Sequence, residues 1–193
     1  PVVLIDRYFE DTTLPYVCTD NYHGAYTATE HLINKGYKRL LAIQGVRASM
    51  PNKERLRGFR QAVEDYKDKG VTEMVAGDSF SMENGYREIM DALRPEIRPD
   101  AVFAFSNTIL LGAIKAIREL GLRIPEDIAI ISFDNNRFLD FFDPVITRVE
   151  QPISVIGNLV TDNIIRMIES EERDAVASSQ VLVRPTLIMG HSC

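Results

Sequence analysis

The chain has 193 residues, of which 45% are hydrophobic and 26% charged, the ordinary balance of a globular domain. Its formal net charge of −6 makes these residues a poor electrostatic partner for DNA or for an acidic membrane, although the charge also has the plainer consequence of solubility. No apolar run reaches the length of a membrane span, and the two cysteines, Cys18 and Cys193, are too few for a disulfide framework, which favours the reducing cytoplasm.

Strand-like and helical patterns alternate from the start of the chain to Phe133. The strands are predicted at Val2–Ile5, Tyr16–Thr19, Leu40–Ile43, Val71–Ala76, Ala101–Phe105 and Ile128–Phe133. The helices are predicted at Asn21–Lys35, Asn52–Lys69, Met82–Leu93 and Thr108–Leu120. Gly36 and Gly70 end the first two helices. This alternation predicts parallel strands with helices on both faces and right-handed crossovers.

The pattern changes after Asp134. Residues 135–144 are aromatic-rich and are predicted as a loop, followed by a short extended piece at Val145–Val149. Pro152 begins a helix that is predicted to reach Glu169. Its apolar residues form a stripe at helical spacing that is expected to be buried: Val155, Ile156, Leu159, Val160, Ile164, Ile165 and Ile168. A polar turn at residues 171–179 and two late strands, Val181–Val183 and Leu187–Met189, complete the chain.

Residues 121–135 are the most informative stretch. Gly121 can end a helix, and Pro125 prevents the helix from continuing. The apolar run Ile128–Phe133 is typical of a strand that is covered on both faces, and Asp134 follows it directly. Because open α/β sheets bind ligands at the carboxyl ends of their strands, Asp134 is a candidate ligand contact. On spacing alone, the better explanation is that the aspartate only stabilises a turn.

This stretch resembles the effector-binding region of LacI/GalR-type transcriptional regulators. Further short motifs agree with that family in their order along nearly the whole chain. They are Pro1–Arg7, Asp20-Asn21, Gly24-Ala25, His31-Leu32, Gly36–Arg39, Glu54–Phe59, Leu111–Ala113 and Gln151-Pro152. Each motif is weak alone, but their common order makes the resemblance specific.

The resemblance implies a two-lobed α/β fold like that of periplasmic binding proteins, with parallel sheets flanked by helices. Residues 1–36 are expected to form part of the N-terminal lobe, 37–149 the C-terminal lobe, 150–178 the return to the N-terminal lobe, and 179–193 the final strands of the C-terminal lobe. The family's opening strands and helix-turn-helix do not occur in these residues, and the chain begins with Pro1 rather than Met. An incomplete first lobe in a fragment is therefore expected.

Asp134 and Arg55 are the leading site candidates. On residue type alone, Arg55 is better explained as a solvated arginine in a basic run. The resemblance implies that both side chains point into the cleft between the lobes. A carboxylate and a guanidinium that face each other there would form a polar clamp for a ligand.

The other site candidates each have a plainer alternative. Asp20, Ser106 and Asn107 could contact ligand or could cap the helices that follow them. Many relatives have Asn-Asp where this chain has Ser106-Asn107, so one negative charge is absent. Phe80 could stack on a ligand ring or fill an apolar gap, and Gln151 could bridge ligand and hinge or serve only as a hinge residue.

The function implied by the resemblance is effector binding and dimerisation in a transcriptional regulator. A small-molecule effector, a sugar, would bind between the lobes and change the DNA affinity of a helix-turn-helix outside these residues. The aromatic run at residues 138–142 and the helix Thr108–Leu120 are expected to form a homodimer face; the alternative is that they pack against the chain's own core.

Two alternatives belong to other classes. One is a periplasmic sugar-binding protein for transport or chemotaxis, and the other is an α/β enzyme that uses Asp6, Asp20 or Asp134 as a base. The sequence has no Gly-x-Ser-x-Gly, His-Glu-x-x-His or Walker motif, and its histidines lack metal-ligand spacing. We therefore expect no catalytic residue, cofactor, metal or membrane partner.

Overall fold

In the computed structural model of the chain, residues 1–93, 98–169 and 179–193 are described. The strands are β1 (Leu4–Ile5), β2 (Tyr16–Thr19), β3 (Arg39–Ile43), β4 (Thr72–Ala76), β5 (Ala101–Ala104), β6 (Ala129–Phe133), β7 (Thr147–Glu150), β8 (Gln180–Val183) and β9 (Thr186–Ile188). The α-helices are α1 (Asn21–Asn34), α2 (Met50–Asp65), α3 (Met82–Ala92), α4 (Asn107–Glu119) and α5 (Ile153–Glu169). Two 3₁₀ helices span Lys67–Lys69 and Arg137–Phe141.

The larger sheet forms the core of one lobe. Its strand order is β4-β3-β5-β6-β7-β9, and every pairing is parallel except that of β9 with β7. Each residue of β5 and β6 is buried, as expected for strands covered on both faces. Helix α1 packs against α2, and α3 packs against α4. The predicted α/β fold with predominantly parallel sheets is confirmed.

The smaller sheet belongs to the other lobe. Its order is β1-β2-β8, with both pairings parallel, and α5 packs against β1 and β2. The prediction of a buried apolar stripe along α5 is wrong for the described residues, because only Ile156 is buried there. Within the predicted stripe, Val155 and Ile168 are 49% and 56% exposed. The physical reason is that three short strands offer too narrow a surface to cover the helix.

The structure moves two of the predicted lobe boundaries. Helix α1 was expected in the first lobe, but its buried residues pack on α2 and on the larger sheet, so it belongs to the second. Strand β8 was expected in the C-terminal lobe, but it pairs with β2 in the smaller sheet. The chain thus passes between lobes near Asp20, Gln151 and Arg184. The expected return segment comprises residues 150–178, and its last part, residues 170–178, lies outside the described residues.

Three elements differ in detail from the prediction. The first strand is shorter than expected and covers Leu4–Ile5. The predicted helix Asn52–Lys69 is divided at Tyr66 into α2 and a 3₁₀ helix, which ends at Gly70 with a φ angle of 70°. The predicted loop after Asp134 contains a 3₁₀ helix, because the Asn136 side chain accepts a hydrogen bond from a backbone N–H at its start.

None of the helices in the described residues is long and apolar enough to cross a membrane.

Candidate ligand-binding site between the lobes

A cavity of about 210 Å³ lies between the two lobes. Its walls come from the segment after β1, the start of α2, the loop before α3, the start of α4 and the segments that follow β6 and β7. The lining residues are Asp6, Arg7, Ser49, Pro51, Arg55, Phe80, Ser106, Thr108, Asp134 and Gln151. Five of the seven predicted site residues are therefore brought together, although they are far apart in sequence.

Asp134 lies at the carboxyl end of β6. Its φ angle of 77° is in the left-handed region, which aspartate tolerates better than most residues. One carboxylate oxygen, Oδ1, accepts hydrogen bonds from Arg55 Nη2, at 3.4 Å, and from Gln151 Nε2. The other oxygen, Oδ2, accepts none from the described residues. The side chain is 27% exposed and lines the cavity, so this oxygen has capacity to accept a hydrogen bond there.

Arg55 is held behind this carboxylate, with only 5% of its side chain exposed. Its Nε donates to Asn21 Oδ1 at 2.8 Å, and its Nη1 donates to the carbonyl of Phe105. The guanidinium also lies 3.7 Å from the ring centroid of Phe133. Burial lowers the pKa of Arg55, and the carboxylates of Asp134 and Asp6 oppose that shift. A guanidinium remains charged in such a setting, so the site contains a fixed cation.

A closed ring of hydrogen bonds connects this pair to two lobe crossings. Thr19 Oγ1 donates to Gln151 Oε1 at 2.6 Å, and Gln151 in turn donates to Asp134. Asn21 accepts a hydrogen bond from Arg55 through Oδ1. Its Nδ2 donates to the Thr19 carbonyl at 2.9 Å, which closes the ring. Thr19 and Asn21 are 1% and 3% exposed. The candidate ligand contacts are thus tied to the segments on which the lobes would pivot.

The opposite wall is built from the start of α4 and the loop before α3. Ser106 Oγ caps α4 by accepting from Ile109 N at 3.3 Å, and it lies 3.0 Å from Thr108 Oγ1. Thr108 Oγ1 donates to the Phe80 carbonyl at 3.1 Å. The Phe80 ring packs on Gly45, where an added Cβ would be 2.3 Å from the ring. Glycine at this position therefore makes room for an aromatic face at the cavity.

Asp20 and Asn107 do not line the cavity. Asp20 caps α1, since its side chain accepts from His23 N at 2.9 Å. Asn107 is the first residue of α4, and its Oδ1 is buried without a hydrogen-bond partner in the described part of the chain. Contact between these two residues and a ligand stays a prediction.

Sequence reasoning missed five lining residues: Asp6, Arg7, Ser49, Pro51 and Thr108. From the sequence, Asp6 is a candidate only as the base of the alternative α/β enzyme. It follows β1 as Asp134 follows β6, and its φ angle of 62° is also left-handed, so the same rule could have found it. Ser49 precedes α2, and its hydroxyl is buried without a partner among the described residues. The sequence carried no comparable signal for Ser49.

The arrangement suits a neutral polar ligand with several hydroxyl groups. Asp134 offers an acceptor, the guanidinium beside it offers fixed charge, and the hydroxyls at the start of α4, whose protons are donated to Thr108 and to the Phe80 carbonyl, offer further acceptor capacity. Phe80 adds an apolar face for a ring. No group of acidic, histidine or cysteine side chains suited to a metal ion occurs in residues 1–93, 98–169 and 179–193.

The chain is similar to known regulators. A family model for a periplasmic binding protein-like domain matches residues 29–193. The ribose operon repressor of Halalkalibacterium halodurans is 33% identical over 174 residues, which cover 90% of this chain and 51% of that protein. A LacI-family regulatory protein from Chloroflexus aggregans has a TM-score of 0.88 at 27% identity, over 98% of this chain and 67% of that one. The complex of the transcriptional regulator CelR with cellobiose has a TM-score of 0.89 at 27% identity, and the match covers 100% of this chain and 59% of that one.

These relatives are transcriptional regulators rather than enzymes or transport proteins. The chain spans about half the length of the repressors that it matches. Both the two-lobed fold and the family resemblance predicted from the sequence are confirmed. The chain belongs to the family of periplasmic binding protein-like domains, among the effector-binding regions of LacI-type transcriptional regulators.

Proposed function

We propose that this chain binds a small sugar between its lobes and thereby controls the affinity of a transcriptional repressor for DNA. The observation that carries the proposal is the Asp134 carboxylate. One of its oxygens is held by Arg55 and Gln151, the other has no hydrogen-bond partner among the described residues, and the residue lines the cavity. Such a carboxylate can accept hydrogen bonds from ligand hydroxyls without moving, because its orientation is already set.

Two relatives support a sugar as the ligand. One is a regulator solved in complex with cellobiose, and another is named as a repressor of the ribose operon. The polar walls and the single aromatic face of this cavity agree with that class of ligand. The site residues are the ones predicted from the sequence that line the cavity: Asp134, Arg55, Phe80, Ser106 and Gln151. Asp20 and Asn107 remain candidates at its margin.

The mechanism is closure of the two lobes around the ligand. A ligand that touches Asp134 on one lobe and Asp6 or Arg7 on the other stabilises the closed arrangement only by contacts that the open one lacks. Because Asp134 is hydrogen-bonded to Gln151, and Gln151 to Thr19, a shift of Asp134 also moves the crossings at these two residues. Because linkage is reciprocal, DNA and sugar change each other's affinity by the same factor.

The proposal includes a homodimer and a DNA-binding part outside these residues. The dimer face consists of α4 and the segment 137–142, where Phe141 is 88% exposed. A second cavity, of about 320 Å³, lies beside this face and includes Phe142 and Arg118. A protein with this role acts on DNA in the cytoplasm and requires neither catalysis nor a membrane.

The experiment measures DNA affinity of the full-length protein with and without sugars. A binding sequence is first selected from a random DNA pool, and its dissociation constant is then measured by fluorescence anisotropy with a panel that includes D-ribose and cellobiose. At least one sugar should change that constant by about fivefold or more. Asp134→Ala should abolish the change and preserve DNA binding in the absence of sugar.

A matched control is Asp68→Ala, which removes an aspartate from the Lys67–Lys69 helix, outside the cavity. Its response to sugar should equal that of the unmodified protein. The proposal fails if no sugar in the panel changes DNA affinity, or if the Asp134 variant responds like the control.

A further inference from the structure

Residues 6–15 connect β1 to β2 and form a strap. The strap leaves the smaller sheet and reaches across to the second lobe. Asp6 and Asp11 turn the backbone with φ angles of 62° and 61°. Within its own lobe the strap is held by the Gln180 side chain, which donates to the Thr12 carbonyl at 3.0 Å. The two ends of the strap therefore stay with the first lobe while its middle is available to contact the second.

Two contacts join the strap to the second lobe. The Glu10 carboxylate forms an ion pair with Lys53 Nζ on α2. The Arg7 guanidinium lies 5.9 Å from the ring centroid of Phe80, at the outer limit for attraction between a cation and an aromatic ring. Each contact has one partner in either lobe, so both exist only while the lobes are close together.

Tyr8 shows how closely the middle of the strap approaches α2. Its ring stacks on Tyr16 at the start of β2, with centroids 4.2 Å apart and an angle of 5° between the planes. Burial raises the pKa of the Tyr8 hydroxyl to about 12, and the negative charge of Glu54 on α2 adds to the rise. Tyr8 thus holds the middle of the strap against its own strand, and Glu54 on α2 is near enough for its charge to act on the Tyr8 hydroxyl.

We propose that the strap is a latch over the cleft, held shut by the Glu10–Lys53 ion pair. Asp6 and Arg7 line the cavity, whereas Glu10 and Lys53 do not. The ion pair can therefore control entry to the cavity without touching a ligand. This inference goes beyond the proposed function, because it concerns the access route and holds whatever small molecule the cavity takes.

The experiment follows amide hydrogen exchange by mass spectrometry in peptides that cover residues 6–15 of the full-length protein, without ligand. Glu10→Gln and Lys53→Gln should each speed exchange in the strap by about two- to fivefold, the range expected for one exposed ion pair. The charge exchange Glu10→Lys with Lys53→Glu should restore slow exchange. In the unmodified protein, about 1 M NaCl should speed strap exchange as the single variants do.

Glu64→Gln is the matched control, since Glu64 forms an exposed ion pair with Lys67 within one lobe. It should leave exchange in the strap unchanged. Unchanged exchange in both single variants would overturn the latch, and so would failure of the charge exchange to restore protection. Since no sugar is present, these outcomes are independent of the sugar titrations that test the proposed function.

Discussion

The guanidinium of Arg55 contacts three separate segments of the chain. It donates to Asn21 at the start of α1, to the carbonyl after β5 and to Asp134, and it lies against the ring of Phe133 at the end of β6. Arg55 is almost fully buried, and so are Asn21 and Phe105, so these two acceptors have little access to water. Removing the donor would therefore leave them unsatisfied.

We expect Arg55→Met to lower the free energy of unfolding by about 2–4 kcal/mol, because it keeps the volume but leaves buried acceptors without partners. Urea denaturation measures this change. The control is Arg57→Met on the same helix, where the side chain is 60% exposed and pairs with Glu54. There the loss should stay below about 1 kcal/mol. Equal losses in the two variants would show that Arg55 does not hold the cleft together.

At the residue scale, the sequence predicted site residues that directly follow a strand better than pairs of residues that meet across the fold. Asp134 became a candidate because it directly follows a buried strand, and the family resemblance favoured a ligand contact over a turn; Asp6 also directly follows a strand. The hydrogen bond from Thr19 to Gln151 joins residues 132 positions apart. No local pattern encodes such a pair, because it depends on how two lobes meet.

The contact between α3 and α4 depends on two glycines. An added Cβ at Gly112 would lie 1.9 Å from the Met82 carbonyl oxygen, and one at Gly85 would lie 2.0 Å from the Ile109 carbonyl oxygen. Both obstacles are backbone atoms, which cannot rotate away. These helices carry the walls of the cavity at Phe80 and Thr108, so their spacing sets the shape of the site.

We expect Gly112→Ala to lower the free energy of unfolding by about 1–3 kcal/mol, because the two helices must separate to admit the methyl group. The control is Gly157→Ala on α5, where nothing lies within 4 Å of the added atom. That change should be neutral or raise stability by up to about 1 kcal/mol, since alanine favours the helix. Thermal or urea unfolding of both variants gives the comparison. A Gly112 variant as stable as the Gly157 variant would contradict this packing.

At the element scale, helical spacing predicted which residues form a helix but not what covers them. The predicted helix Asn21–Lys35 is α1, with one residue fewer. The same spacing in α5 correctly predicted a helix, yet Val155 and Ile168 remain exposed among the described residues. Periodicity reports an apolar face. Burial of that face also requires a partner surface, which a short stretch of sequence does not describe.

The whole molecule has two lobes linked by crossings, and one surface is proposed to join two copies. Phe141 on that surface is 88% exposed, which is unusual for so large an apolar side chain. We expect Phe141→Asp to weaken dimerisation by about tenfold or more, because a charge would replace an aromatic side chain that the proposed dimer buries at its interface. Sedimentation equilibrium measures the dissociation constant. Met90→Asp, on α3, should leave it unchanged, and a Phe141 variant that dimerises normally would exclude this face.

At the scale of the molecule, the order of the elements was predictable and their division between lobes was not. Strand alternation indicated parallel sheets, and the structure has them. Helix α1 joins the second lobe because its buried face matches α2, and β8 joins the first because its register fits β2. Both assignments depend on surfaces formed by residues distant in sequence.

Sugar binding in the cavity is proposed to depend on the carboxylate of Asp134. Isothermal titration calorimetry of the full-length protein with a panel of mono- and disaccharides, repeated on Asp134→Ala, measures this dependence. We expect at least one sugar to bind the unmodified protein and to bind the variant at least about tenfold more weakly, because a charged acceptor is lost. No binding by any sugar in the panel, or equal affinity in the variant, would show that Asp134 does not bind a sugar here.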